Sequence, residues 1–405
     1  MTGALLQLVT IGKQDSYLIG NPQITYFKSV YKRHTNFALE SIPIYSKTTP
    51  DFNKLVIFDI DRKGDLLYKL LLEIELSDLE DNISWINNIG NYIIDNIEFQ
   101  IGDIAIDKHY GQFLDIIGEV KVDESHKNGY NEMIGKYETF LNTTQQKNTK
   151  LFIPLWFWFS NNIGNSLPLI ALQYHNIKLV VKTNKLSDCL FSGNNNLENE
   201  FEPKIDSMTL FADFIYLDNS ERKKFAQEDH QYLIEQLQFT SCDVNPNTKQ
   251  VNLDLTFNLP IKEIIWTLQR QDFLRINDYT NYSNTSYQEI LDTNNYQEIL
   301  DSALLTINGT DRFYERRAKY FRLVQPFNHH TSIPNNYFYF YSFSLQPEKI
   351  QPSGSINFSR IDNSTLKLKI IENINTDTII TVNLYAINYN LLKISNGMGG
   401  LIFND

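Results

Sequence analysis

The chain has little cysteine and no long hydrophobic run. Among its 405 residues only Cys189 and Cys242 are cysteines, so a disulfide framework beyond a single bridge is excluded. We expect both thiols to be buried rather than reactive, as suits a reducing compartment. The longest apolar run, "LFIPLWFWF" at 151–159, is about half the length that spans a bilayer. With no recognisable secretory signal at the N-terminus, the sequence predicts a soluble protein made in the cytoplasm.

Positive charge is also scarce. The chain has 36 Lys and Arg residues against 48 Asp and Glu residues, which gives a net charge of -12. Such a surface repels phosphate, so we do not expect direct nucleic-acid binding. The sequence contains no P-loop, no G-x-G-x-x-G, no G-x-S-x-G and no H-E-x-x-H motif. We therefore expect no enzymatic activity, no cofactor and no bound metal ion.

Aromatic residues, by contrast, are abundant, with 23 Tyr and 26 Phe. They lie in many short segments that alternate polar and apolar residues, which is the pattern of half-buried strands. Two such segments, 55–60 and 66–76, flank the turn "DRKGD", where Gly64 can supply a positive φ. A second turn is predicted at Gly102-Asp103. In the 66–76 segment Glu73 and Glu75 alternate with apolar residues and are expected to face solvent. So many short strands predict an all-β protein of sandwiches or barrels.

Two segments predict helices. Residues 110–122 place Phe113, Ile116, Ile117 and Val120 on one face. Residues 220–237 begin with Ser220 as a candidate N-cap and are mostly charged, as expected of a solvated connector between two domains.

Internal similarity supports a duplicated β domain. "IEFQIGDIAIDKHYGQFLDII" in the first half matches the pattern of "LLTINGTDRFYERRAKYFRLV" in the second, and "LFADFIYLD" matches "LYAINYN". A separate exact repeat, "YQEILD" at 287–292 and 296–301, lies among Asn, Ser and Thr residues. Because tandem duplications are best tolerated in exposed loops, we predict a surface loop over 275–302.

The basic segment, "RFYERRAKYFRLVQPFNHH" at 312–330, is the local exception to the acidic composition. Its arginine stems can cover apolar surface, and the planar guanidinium suits subunit interfaces. Arg316, Arg317 and Arg322 are therefore candidate subunit-interface residues, with a phosphate site as the alternative. The adjacent His329 and His330 are interpreted as loop histidines, because neighbouring side chains on a strand point to opposite faces and seldom bind one ion.

Long blocks of the sequence resemble the major capsid proteins of nucleocytoplasmic large DNA viruses. These blocks run in order from about residue 20 to 403 and are "GNPQITYFKSVYKRHTNFALESI", "LFIPLWFWFSNNIGNSLPLIALQYHNIKL", "IYLDNSERKKFAQEDHQYLIEQLQ", "NLPIKEIIW", "YFRLVQPFNHHTSIPNNYFYFYSFSLQPEKIQPSGSINFSRIDN" and "YNLLKISNGMGGLIF".

The resemblance implies two tandem eight-stranded antiparallel jelly rolls with short helices in the loops. The expected domains are an N-terminal arm at 1–24, a first jelly roll at 25–218, a helical connector at 219–235 and a second jelly roll at 236–405. The resemblance also implies a homotrimer that forms a pseudo-hexagonal capsomer, and capsomers that tile the icosahedral shell of a large double-stranded DNA virus. Its implied partners are minor capsid proteins beneath the shell, near an internal membrane, in virions assembled in the host cytoplasm.

Three alternatives remain open at the level of sequence. The first is a minor capsid paralogue with the same fold. The second is a jelly-roll carbohydrate-binding protein, which would be a monomer with exposed aromatic residues at one loop end. The third, an enzyme of the double-stranded β-helix type, would need clustered His and carboxylate ligands, and the chain has no H-x-D or H-x-H spacing on a strand.

Overall fold

The computed structural model describes residues 2–79, 83–136, 149–192, 203–275, 277–285, 297–371 and 378–403. The chain forms two units, Met1–Asn36 and Phe37–Asp405. The small unit contains the helices Gly3–Val9 and Ser16–Ile19. None of its described side chains is buried, and large apolar ones such as Val9, Tyr26 and Phe27 are exposed.

The first half of the large unit forms two main sheets. Sheet 1 has the strand order β1-β11-β3-β7, with β8 beside β3, and sheet 2 has the order β2-β9-β5-β6. The short strands β4 and β10 pair separately. The strands are β1 Phe37–Tyr45, β2 Leu55–Ile60, β3 Leu66–Leu76, β4 Ile83–Trp85, β5 Ile94–Ile101, β6 Ile104–Tyr110, β7 Thr149–Leu155, β8 Leu167–Pro168, β9 Ile177–Thr183, β10 Leu190–Ser192 and β11 Ile205–Leu217.

The second half repeats this arrangement. Sheet 3 has the order β12-β21-β14-β18, with β19 and β22 at its margins, and sheet 4 has the order β13-β20-β15-β16, with β17 beside β15. The strands are β12 His230–Val244, β13 Gln250–Asp254, β14 Pro260–Arg270, β15 Leu300–Ile307, β16 Thr310–Asp311, β17 Arg316–Arg317, β18 Phe338–Ser342, β19 Ile356–Asn357, β20 Ser364–Ile370, β21 Ile380–Ser395 and β22 Met398–Leu401.

Each half is a jelly roll of two antiparallel four-stranded sheets, so the predicted fold is confirmed. In both halves the first strand pairs with the last long strand, as β1 with β11 and β12 with β21. The first core lies between sheets 1 and 2, where Leu72 and Leu210 face Phe58 and Leu179. The second core lies between sheets 3 and 4 and includes Trp266. Alternation of apolar and polar residues along each strand places one face of each sheet in its core.

Short helices connect the strands. In the first half these are Ile89–Tyr92, Gly111–Lys121, Glu124–His126, Lys127–Ile134, Trp158–Ser160, Ile163–Asn165, Leu169–Ala171 and Leu186–Cys189. In the second they are Gln271–Arg275, the π-helix Tyr320–Val324, Gln325–His329 and Phe358–Arg360. Among the described residues, no helix has the length and apolar character needed to cross a membrane.

The connector helix is shorter than the sequence pattern predicts. It spans Asn219–Gln227 with Asp218 at the N-cap position, and Ser220 donates a hydrogen bond to the Asp218 carboxylate at 3.1 Å. Residues from His230 onward belong to β12, which pairs with β21 along its whole length. The edge pairing of β12 overrides the helical pattern of residues 230–237.

Two turns have different causes. The turn predicted at Gly102-Asp103 is present between β5 and β6, and both residues adopt a positive φ there. Gly64 does not, so that expectation was wrong: Gly64 is needed because a Cβ there would lie 2.6 Å from the Cβ of Phe214. The close approach of the Phe214 side chain, and not turn geometry, excludes a larger residue at this position.

A surface loop was predicted over 275–302, but much of the part that the structure describes is buried. Tyr282 is buried and its hydroxyl lies 2.6 Å from that of Tyr92. Ile299 and Leu300, from the second "YQEILD" copy, enter the second core, and Leu300 begins β15. The polar composition of the segment concealed these buried positions. The first copy, at 287–292, lies outside the described residues.

The two cysteines differ in burial. Cys189 is buried as expected, and burial raises the pKa of its thiol. Cys242 is exposed, contrary to expectation, because it lies near the end of the sheet-edge strand β12.

Candidate functional site

The basic segment forms the link between sheets 4 and 3. Arg316 and Arg317 constitute β17 and pair with Ala303 and Ser302 of β15. The chain then enters the π-helix Tyr320–Val324 and the helix Gln325–His329 before β18. Phe321 is buried in the second core, where its ring lies 5.1 Å from that of Trp266. One aromatic side chain therefore anchors a segment whose arginines lie largely outside the core.

Arg316 and Arg317 are exposed. Arg317 donates a hydrogen bond to the Asp301 carboxylate at 3.1 Å, yet its side chain remains 84% exposed. The Arg316 guanidinium lies 5.3 Å from the ring centroid of Tyr320. Exposed pairs of this kind contribute little to stability, so both guanidinium groups remain accessible to a partner.

Arg322 is engaged within the chain. Its Nε donates a hydrogen bond to Glu298 Oε1 at 2.5 Å, and both side chains are largely buried. Its guanidinium also lies 4.9 Å from the ring centroid of Tyr337. Arg316 and Arg317 are thus both exposed and contact different neighbours, whereas Arg322 is held in an ion pair within the chain.

His330 is a buried structural histidine. Its Nε2 lies 2.6 Å from Glu263 Oε1, and its Nδ1 lies 2.8 Å from Glu348 Oε1. Burial disfavours the charged imidazolium, but the two carboxylates outweigh this effect and raise the pKa of His330 to about 9. His329 instead contacts the carbonyl of Leu345 at 3.0 Å. The two rings face different groups, and no cluster of metal-binding side chains occurs among the residues that the structure describes.

The counterpart of the basic segment in the first half is the helix Gly111–Lys121, here called the junction helix. Its predicted apolar face is confirmed: Phe113, Ile116, Ile117 and Val120 are all buried. They pack on the outer face of sheet 3, the face that points away from the second core, against Ile265, Phe338, Phe340, Tyr385 and Ile387. The junction helix therefore joins the two jelly rolls.

The opposite side of the junction helix carries buried charges. Lys136 Nζ donates to Asp115 Oδ1 at 2.7 Å and to Glu119 Oε1 at 2.6 Å. Burial disfavours the ammonium form of Lys136, but both carboxylates raise its pKa above the usual range. Glu119 Oε2 also accepts hydrogen bonds from the backbone N–H groups of Asn335 and Asn336. This network fixes the segment before β18 to the first roll.

A further polar contact at the junction centres on Gln112, and no sequence pattern predicted it. Its Nε2 donates to Gln269 Oε1 at 2.9 Å and to the Tyr282 hydroxyl at 3.1 Å. Its Oε1 accepts from Asn383 at 2.8 Å and from the Tyr385 hydroxyl at 2.6 Å. A single glutamine in an apolar helix pattern does not reveal such partners, because all of them lie more than a hundred residues away along the chain.

The sequence and the fold both match known capsid proteins. Residues 25–218 match the family model described as major capsid protein N-terminus, and residues 221–400 match that described as large eukaryotic DNA virus major capsid protein. The chain is 38% identical to the major capsid protein of Pyramimonas orientalis virus and 36% identical to that of Paramecium bursaria Chlorella virus 1. Both alignments cover 100% of each chain.

Solved structures agree with these matches. A quasi-atomic model of the PBCV-1 virus capsid superimposes with a TM-score of 0.80 at 31% identity, covering 94% of this chain and 100% of that chain. The Faustovirus major capsid protein has a TM-score of 0.75 over 95% of this chain and 94% of its own, at 12% identity, and therefore supports the fold alone.

Proposed function

The chain belongs to the family of large eukaryotic DNA virus major capsid proteins, and we propose that its biochemical activity is self-association into a capsid shell. Three copies associate into a pseudo-hexagonal capsomer, and capsomers tile an icosahedral shell around a double-stranded DNA genome. The protein acts as a structural component and not as an enzyme.

The observation that carries this proposal is the duplication of one architecture within one chain. Sheets 1 and 3 have corresponding strand orders, as do sheets 2 and 4. The rolls lie side by side through the junction helix rather than as separate beads. Three chains would then place six similar rolls around one axis, which approximates sixfold symmetry with threefold symmetric contacts.

The domain division is part of the proposal. An arm at 1–24 would lie at the base of the capsomer, followed by the rolls at 25–218 and 236–405 with the connector 219–235 between them. Large exposed apolar side chains in the arm, such as Leu8 and Leu18, support a role in which the arm is covered upon assembly. Minor capsid proteins beneath the shell, near an internal membrane, are the partners that we propose for this base.

The basic segment fits an interface between copies. Arg316 and Arg317 are exposed and would contact a neighbouring copy, while Arg322, through its ion pair with Glu298, would hold the segment in shape. The overall negative charge, -12, opposes a role in binding the genome directly.

Localisation in the virion, after assembly in the host cytoplasm, can be tested on purified virus particles. We expect quantitative mass spectrometry to find this chain as the most abundant shell protein, and electron microscopy of the purified protein to show particles with hexagonal outlines. A chain present at only a few per cent of the shell protein would instead indicate a minor capsid paralogue, and absence from virions would overturn the proposal.

A further inference from the structure

The two rolls can be aligned residue by residue through their central strands. Leu210-Phe211-Ala212 of β11 and Leu384-Tyr385-Ala386 of β21 both place Leu and Ala in the core and the aromatic residue on the outer face. Phe211 pairs with Leu71 of β3, and Tyr385 pairs with Ile265 of β14. The outer faces of sheets 1 and 3 therefore share one register.

The next strand extends the same register. Leu71 pairs with Pro154 of β7, and Ile265 pairs with Phe340 of β18. The outer-face residues of sheet 3 that contact the junction helix thus have counterparts in sheet 1: Phe211 for Tyr385, Leu71 for Ile265, Pro154 for Phe340 and Phe152 for Phe338.

These equivalent faces differ in burial. On sheet 3 the residues Ile265, Phe338, Phe340 and Tyr385 are all buried, because the junction helix covers them. On sheet 1 all four counterparts are only half-buried. The outer face of sheet 1 therefore has a partly exposed apolar surface. The equivalent surface of sheet 3 is covered by the junction helix.

The segments that follow the sixth strand also correspond. Leu114 of the junction helix points into the first core, as Phe321 of the basic segment points into the second. With these two aligned, Ile117 matches Val324 and Val120 matches Phe327. The junction-helix residues are buried against sheet 3, whereas Val324 is 42% and Phe327 is 74% exposed. The second roll thus presents an uncovered counterpart of the surface that the first roll buries.

We propose that Val324 and Phe327 of one copy pack on Phe211, Leu71 and Phe152 of a second copy, reproducing between chains the contact that the junction helix makes within the chain. This inference rests on the proposed self-association and specifies the two surfaces that meet. The contact joins different surfaces of the two copies, so successive contacts can close into a ring.

Charge complementarity supports the second copy as the occupant. Within the chain, Gln112 hydrogen-bonds to Gln269 at 2.9 Å across the junction. The counterpart of Gln112 is Lys319, which precedes Tyr320 as Gln112 precedes Phe113, and Lys319 is exposed. The counterpart of Gln269 is Glu75. Gln269 pairs with Thr381, four residues before Tyr385, and Glu75 pairs with Ser207, four residues before Phe211.

Glu75 is available for such a contact. Its side chain is 43% exposed, and its carboxylate already contacts Lys150 at 2.9 Å and the Ser207 hydroxyl at 2.9 Å. Gln112 and Gln269 form an amide pair within the chain. Their counterparts on the two uncovered surfaces, Lys319 and Glu75, carry opposite charges. An ion pair of Lys319 with Glu75 of the second copy joins these opposite charges, in addition to the contacts that Glu75 makes with Lys150 and Ser207. It gives the contact its specificity.

The test is a charge exchange measured by mass photometry and sedimentation over a range of protein concentrations. We expect Lys319→Glu and Glu75→Lys each to raise the concentration at which half of the trimer dissociates by about tenfold or more. The double variant Lys319→Glu/Glu75→Lys restores that concentration to within about threefold of wild type. Lys63→Glu, an exposed control in the turn between β2 and β3, leaves it unchanged.

The outcomes separate this inference from the proposed self-association. A wild-type protein that remains a monomer contradicts both. A wild-type trimer that tolerates both single exchanges, or a double variant as weak as the singles, contradicts the assigned surfaces alone. If an exchange variant loses its folded circular dichroism spectrum, Phe327→Ser decides, because that side chain is exposed in the single chain: an unchanged trimer then overturns the inference, and a monomer supports it.

Discussion

The rings of Phe113 and Tyr385 pack 5.7 Å apart, centroid to centroid, although the two residues belong to different jelly rolls. Phe113 lies on the junction helix of the first roll, and Tyr385 lies on the outer face of sheet 3. Both rings are buried. The two rolls therefore share an apolar interface, and we expect them to unfold together rather than as two independent domains.

Truncation of Phe113 tests this coupling. We expect Phe113→Ala to lower the free energy of unfolding by about 3–4 kcal/mol, because the cavity lies between two well-packed surfaces. The measurement is urea unfolding followed by both tryptophan fluorescence and far-ultraviolet circular dichroism. Ile104→Ala, at an exposed position in β6, is the control and should change stability by less than about 0.5 kcal/mol. Equal losses of unfolding free energy in the two variants would show that packing at the junction does not stabilise the protein.

The buried ion cluster predicts a large difference between two lysines. Lys136→Met leaves Asp115 and Glu119 buried without their cation, so we expect a loss of about 3–5 kcal/mol at neutral pH. Lys150→Met removes exposed ion pairs to Glu73 and Glu75 and should cost about 1 kcal/mol or less. Denaturant titrations of both variants give the comparison. The loss in Lys136→Met should shrink as the pH falls, since protonation removes the unpaired charge. Similar values for both lysines would refute the assignment.

His330 predicts a stability loss in alkaline solution. Its pKa in the folded protein, about 9, lies above the ordinary histidine value of 6.5. Its contribution is therefore fully present below about pH 6.5 and is lost as the pH rises through 9, on the order of 3 kcal/mol in total. Unfolding free energies of wild type and His330→Gln, measured from pH 6 to 10, should converge as the pH rises. Parallel curves would mean that Glu263 and Glu348 do not hold a protonated imidazole.

The exposed arginines give a prediction about assembly. Arg316→Ala/Arg317→Ala should weaken the trimer or the shell by about tenfold in half-dissociation concentration while the monomer keeps its stability, because neither guanidinium is buried. DNA affinity, measured by fluorescence anisotropy on the same samples, should not change. Intact trimers with a marked loss of DNA binding would instead assign these residues to a phosphate site.

Much of this architecture could be predicted from sequence because it depends on local pattern. Alternation of apolar residues predicted strands such as β3, and the spacing of Phe113, Ile116, Ile117 and Val120 predicted the junction helix and its buried face. The similarity of the two halves predicted the duplicated fold. These features can be predicted because each depends on residues that are close together in the chain.

What the sequence concealed depends on distant partners. The helical pattern of residues 230–237 became strand because β21 pairs there, and the polar stretch around Tyr282 is buried because it contacts Tyr92, 190 residues away in the chain. The interpretation of His330 as merely a loop histidine is wrong, because its ring is buried between Glu263 and Glu348. Contacts of this range leave no periodicity, so pattern analysis cannot find them.

The solution mass of the purified chain tests the central claim most directly. The proposed capsomer predicts a species of about 142 kDa, three times the chain mass of 47.3 kDa, in sedimentation velocity at micromolar concentration. Loss of this species upon the Lys319→Glu exchange, and its return in the Lys319→Glu/Glu75→Lys variant, would identify the contacting surfaces. A single species at 47.3 kDa that persists as the concentration is raised would contradict the account.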